Sequence, residues 1–165
     1  MGFQKSLLAL GVTVGLATFG GAAFAHDHTG PMPTTPGGKA AHTRQENFKQ
    51  QGAAFKTIRD ELKKDAPNLA LISANAAKLK SSSDALPTWF PKGSGPESKY
   101  ETDAKPEIWS DPVKFAAAVK RLQVEATKFQ PIAASGDLGA IKAQVQAVGG
   151  ACKNCHDSFR VPEEK

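Results

Sequence analysis

The chain has 165 residues, with 21 Lys and Arg against 16 Asp and Glu, a formal charge of +5, and 40% hydrophobic residues. That composition suits one globular domain with a core of its own. The basic excess is modest and mixed with acids, and no Arg/Lys run is interleaved with aromatics, which argues against a nucleic-acid partner.

Residues 1–25, MGFQKSLLALGVTVGLATFGGAAFA, carry Lys5, an apolar run and Ala23-Phe24-Ala25 ahead of the polar His26-Asp27-His28. This is the layout of a cleaved secretory signal peptide. An uncleaved membrane anchor is the alternative, since the apolar run is nearly long enough to span. The Gly and Thr content and the small-x-small ending favour cleavage and export to the periplasm. Cleavage after Ala25 would leave a free amine, two amides and a third-position His, a set that can enclose Cu(II) or Ni(II) in a square plane. Residues 26–42 then read as a flexible Pro/Gly-rich tether, and residues 43–165 as the folded domain.

Thr43 and Glu46 form a T-x-x-E capping box that opens the first predicted helix. Phe48, Phe55, Ile58 and Leu62 fall on one of its faces, and it stops before Pro67. A second helix is predicted over 67–84, with Leu69, Ile72, Ala76, Leu79 and later Leu86 on one stripe. Residues 86–111 follow with four prolines and Trp89, Tyr100 and Trp109, a loop long enough to be functional. A third helix starts at Ser110 as N-cap, with Pro112 in its first turn and Phe115, Val119, Leu122, Ala126 and Phe129 inward; Pro131 marks a kink or a stop. Ser135-Gly136-Asp137 turns into a fourth helix. Its Leu138, Ile141, Val145, Val148, Cys152, Cys155 and Phe159 alternate by three and four, a seam facing a core. The fold class is all-α, an antiparallel four-helix bundle.

Export would ordinarily pair the two cysteines in a disulfide, but three residues apart inside a helix they have poor geometry for one. C-x-x-C-H at Cys152, Cys155 and His156 is instead the attachment signature of c-type haem. Two thiols one helical turn apart can reach the two vinyl groups along one haem edge. The next residue projects about 100° away and can present its imidazole to the iron. A structural zinc site would need four ligands, and there is no second cysteine pair. A redox-active C-x-x-C normally opens a helix after a strand, whereas this one closes the last helix of an all-α chain. A purely structural cysteine pair would leave His156 unexplained.

A CxxCH at the C-terminal end of a four-helix bundle resembles the class II c-type cytochromes, the cytochrome c′ family. The resemblance spans residues 43–161 and is most specific at CKNCHDSFR (152–160), RQENF (44–48) and KPEIWSDPVKF (105–115). It implies one covalent haem c near the C-terminal helix. It also implies that Arg44 and Gln45 reach the haem propionates; the alternative for Arg44 is an exposed helix-start residue. Low-spin relatives place a Met four residues after that Arg, whereas cytochromes c′ proper have an apolar residue there and leave the iron five-coordinate. Here the position is Phe48, which cannot ligate iron and is also a core position of its helix. The alternatives for a sixth ligand are Met32, in the tether, and His42, six residues before Phe48.

Arg160, four residues after His156, is placed by the resemblance beside the proximal imidazole, where some relatives bind NO after displacing the histidine; a helix-dipole role would explain it as well. An apolar distal wall offers bound O2 no hydrogen bond and peroxide no acid–base group, yet it accepts NO and CO. The sequence therefore reads as a non-enzymatic haem protein binding small gases, transferring electrons to a redox partner protein, or both. A low-spin electron carrier with an unrecognised sixth ligand is the alternative. Family members are commonly homodimers through helices one and two, flanked here by Lys63, Lys64 and Ser81 to Ser83.

Overall fold

A computed structural model of the chain describes residues 32–162. The signal segment and His26-Asp27-His28 lie outside the described residues. Five helices follow in order, α1 (Pro36–Glu61), α2 (Leu69–Ala85), α3 (Glu107–Ser110), α4 (Pro112–Ser135) and α5 (Leu138–Phe159). The four long ones make an antiparallel bundle, and the single turn α3 sits within the long connection between α2 and α4.

The first helix begins eight residues earlier than the capping-box pattern predicts. Thr35 is the N-cap, its hydroxyl accepting from the Gly38 amide, and Pro36 occupies the first turn, where its missing N–H costs nothing. Thr43 and Glu46 are interior to α1, and Glu46 pairs with Lys49. Residues 36–42 are therefore helix rather than tether. Packing is the reason: Ala41 is fully buried, and a Cβ at Gly37 would lie 1.9 Å from the Gly93 carbonyl oxygen, so the helix meets the long loop backbone to backbone at a point only glycine allows.

Asn68 caps α2 by accepting from the Leu71 amide. Asp111, one residue beyond the expected Ser110, caps α4 by accepting from Lys114. Pro131 lies inside α4, which continues to Ser135. Gly136, at φ 76°, then reverses the chain, and Asp137 caps α5 through the amides of Gly139 and Ala140. Left-handed backbone at the reversal suits glycine, which has no Cβ to clash.

The inward stripe of α4 is as the periodicity predicts. Phe115, Val119, Leu122, Ala126 and Phe129 are all buried, against Ile58 of α1, Ile72, Ala76 and Leu79 of α2, and Ile141, Val145 and Val148 of α5. Each of the larger of these side chains, Val, Leu, Ile and Phe, stabilises the fold by about 1.5–3 kcal/mol. Leu69 and Leu138, expected on the same stripes, are at the first turns of their helices and stay exposed. Helices α1 and α2, α2 and α4, and α4 and α5 pack side by side. Among the described residues, α1 and α5 approach each other less closely than these pairs; Phe55 of α1 reaches toward Gly149 of α5 across that side.

Candidate haem site

Cys152 and Cys155 share one face of α5, both half-buried and packed against the core. They are not joined in a disulfide. Burial raises the pKa of Cys152, and burial together with the neighbouring Cys152 pushes Cys155 up to about 11. Before haem attachment both would therefore be neutral thiols, unlike the thiolates that disulfide oxidoreductases depend on. The next residue, His156, is exposed on the flank of the helix.

The end of α5 is fixed by the long loop. Arg160 is the C-cap, with extended backbone rather than a further helical turn, and it forms an antiparallel bridge with Ala104. The Lys105 amide donates to the Phe159 carbonyl at 3.0 Å, and the Val161 amide to the Asp103 carbonyl at 2.8 Å. The Arg160 guanidinium pairs with the Asp103 carboxylate at 3.3 Å. Arg160 thus sits beside the last turn that carries His156, tied to a loop acid that sequence reasoning did not single out.

On α1, Arg44 is not an exposed helix-start residue; it is only 2% exposed. One terminal nitrogen, Nη1, donates to the Ser94 hydroxyl at 2.9 Å and to the Trp89 carbonyl at 3.4 Å. The other, Nη2, donates to the Ser94 carbonyl and the Thr102 hydroxyl, both at 2.9 Å. The guanidinium also lies over the Phe90 ring, 4.8 Å from its centroid. Burial lowers its pKa to about 10, opposed by the negative charge of Glu97. Its terminal donors are thus engaged by the loop, where the resemblance expects a propionate. Gln45 Nε2 donates to the Glu101 carbonyl at 2.8 Å, and Gln45 Oε1 is buried with no hydrogen-bond partner among the described residues. An oxygen there suits a donor; a carboxylate would require the amide to turn and give up Glu101.

Phe48 follows Arg44 by one helical turn. Its ring meets Trp89 edge-on at 5.1 Å and Phe90 at 6.1 Å. From Phe90 the ring contacts continue to Phe115 at 4.8 Å and from there to Phe159 at 5.3 Å. Phe159 lies three residues after His156, so Phe48 and the CxxCH helix end border one aromatic cluster. His42 points elsewhere, its ring against Tyr100, and Met32 is exposed at the start of the described chain.

These features fit a flat apolar group with a polar edge. α1 and α5 approach less closely than the other neighbouring helices, the two thiols face the core, and the buried cation of Arg44 lies one helical turn before Phe48. Ser94, Thr102 and Asp103 could not have been picked out by spacing. Small polar residues in a Pro/Gly-rich loop carry no periodic signal; only Arg44 four residues before Phe48 hinted that something had to satisfy a buried cation.

Comparison with known proteins bears on the same residues. The family model for cytochrome C′ matches residues 39–160. A cytochrome c′ of Rubrivivax gelatinosus is 36% identical over 124 residues, 74% of this chain and 95% of the relative. Two solved structures of variants of cytochrome c prime from Alcaligenes xylosoxidans, a nitric oxide complex and a carbon monoxide complex, are each 31% identical with a TM-score of 0.68, covering 76% of this chain and 97% of theirs.

Proposed function

Because the chain belongs to the cytochrome c′ family and carries its one covalently bound haem c, we propose that its iron, held by His156, is open on the Phe48 side to small gases such as nitric oxide and carbon monoxide. When bound, the haem would supply an iron that His156 would hold and that could take up a small gas. Cys152 and Cys155 would anchor it as thioethers, and the buried charge of Arg44 would offset the propionates, with Gln45 beside it on α1. Arg160, held by Asp103, stands by the proximal imidazole.

The observation that carries this reading is Phe48. At the position where a sixth ligand would enter from α1, the chain has a ring that cannot ligate, held edge-on by Trp89 and Phe90. These ring partners supply no proton donor or acceptor of the kind peroxide cleavage needs, which favours ligand binding over an enzymatic role. The nitric oxide and carbon monoxide complexes of the Alcaligenes protein support the choice of gases. Residues 1–25 export the chain to the periplasm, and it pairs with a second copy through α1 and α2.

Electron transfer to a partner protein is a second reading, favoured by the exposure of Lys153 and Asn154 between the two cysteines, which brings the outer edge of the motif to solvent. Titration of the reduced holoprotein with nitric oxide and carbon monoxide, followed by its visible spectrum, separates the two. Saturable shifts with both gases support gas binding. A spectrum that neither gas alters leaves electron transfer as the function.

A further inference from the structure

We propose that Trp89 is a positioning residue that sets how readily a gas passes Phe48, and so which ligands the protein admits and how fast; this rests on the Phe48 side being the ligand side. A phenylalanine on an exposed helix face is free to change rotamer, and by itself would be a weak gate. Phe48 is not in that situation. Trp89 meets its ring at an interplanar angle of 89° and Phe90 at 61°, both edge-on, one of the arrangements that aromatic pairs favour. To swing aside, Phe48 must leave one of these contacts or push it.

The two partners differ in how far they can yield. Arg44 holds the Trp89 carbonyl directly and lies over the Phe90 ring. Phe90 is backed by Phe115 and by Trp109, whose indole N–H donates to the Phe90 and Pro91 carbonyls at 3.2 Å. Phe90 is thus fixed from three sides and is a poor adjusting element. Trp89 is half-buried at the end of the short 3₁₀ turn Leu86–Trp89, and its side chain is the movable jaw. The barrier to gas entry accordingly belongs to a pair of residues from two elements, one on α1 and one on the loop, with Arg44 fixing the distance between them.

The test compares Trp89→Phe, Trp89→Leu, Phe48→Ala and the Phe48→Ala/Trp89→Leu double variant as reduced holoproteins. Carbon monoxide association is followed after flash photolysis, and Phe48 ring-flip rates by NMR on protein carrying carbon-13-labelled phenylalanine. Losing the edge contact while keeping apolar bulk, Trp89→Leu should speed association about tenfold and make the Phe48 ring flip faster. Trp89→Phe, which keeps an edge, should stay within about threefold of the parent. The double variant should be no faster than Phe48→Ala, because Trp89 acts through Phe48. If Phe48→Ala is fast while Trp89→Leu binds carbon monoxide at the parental rate with an unchanged ring flip, the proposal for Trp89 fails and the distal reading stands. If Phe48→Ala itself leaves the rate unchanged, the ligand does not pass Phe48 and the reading beneath the proposal fails.

Discussion

The two ends of the bundle are held by different physics. At the end where α1 turns into α2 and α4 into α5, the connections are short and capped by Asn68 and Asp137, and the layers beneath are aliphatic, with Ile58, Ile72 and Ile141 fully buried around Phe129. At the opposite end the α2–α4 connection runs over residues 86–111. It is ordered by one buried cation that satisfies carbonyls and hydroxyls, by edge-on rings, and by the two-residue bridge to the end of α5. The first end is stable because water is excluded from apolar surface. The second is ordered because specific groups have specific partners, which is what a site needs if a side chain is to be held in one place. Damage should therefore spread at one end and stay local at the other.

Phe129→Ala should give the largest loss of stability, about 3–5 kcal/mol, read as a shift in the urea midpoint. Folded molecules should keep a parental haem spectrum, since Phe129 lies outside the aromatic cluster. Arg44→Leu comes next, at about 2–4 kcal/mol, because it strips the donors from the buried Ser94 carbonyl and its neighbours. Its signature is local: residues 86–105 should become sensitive to protease and lose hydrogen-exchange protection while α2, α4 and the early turns of α5 remain protected. Uniform loss of protection would show that the two ends are not separable.

Thr35→Ala removes the cap of α1 and should cost about 1 kcal/mol, with exchange increased only over residues 36–42. If exchange there is already complete in the parent protein, the start of α1 is not fixed by Thr35. The smallest effect is acid lability at the short-turn end. Asp60, hydrogen-bonded by Lys56 and Lys63, has its pKa lowered from 3.8 to about 2, and Lys64 and the Asn68 amide hold Glu61 below its usual value. Because these carboxyls bind protons less readily folded than unfolded, their contribution is present above the ordinary carboxylate range and is lost as pH falls through the folded values. The melting temperature should therefore drop more steeply with acid in the parent than in Asp60→Asn; parallel curves would remove Asp60 from the account.

The aliphatic end was legible in the sequence because periodicity reports burial. The stripe from Phe115 to Phe129 and the seam from Ile141 to Phe159 read correctly, and the motif at Cys152, Cys155 and His156 was visible by spacing alone. The loop end was not. The start of α1 was misread because the Gly37 contact with Gly93 lies between residues far apart in sequence, which leaves Pro36-Gly37-Gly38 looking like tether. Arg44 carried a signal through its distance from Phe48, but its partners Ser94 and Thr102 form no pattern, and the pairing of Arg160 with Asp103 depends on the bridge at Ala104. Interactions made by single polar groups across long sequence separations leave no period to detect.

The central claim is an iron held by His156 with no protein ligand on the Phe48 side. Electron paramagnetic resonance of the oxidised holoprotein, with optical spectra of the reduced form before and after nitric oxide, tests it most directly. The account predicts a high-spin signal and a reduced spectrum that shifts when nitric oxide is added. A low-spin signal with split visible bands and no response to nitric oxide would mean that a side chain, His42 first, occupies the position assigned to the gas.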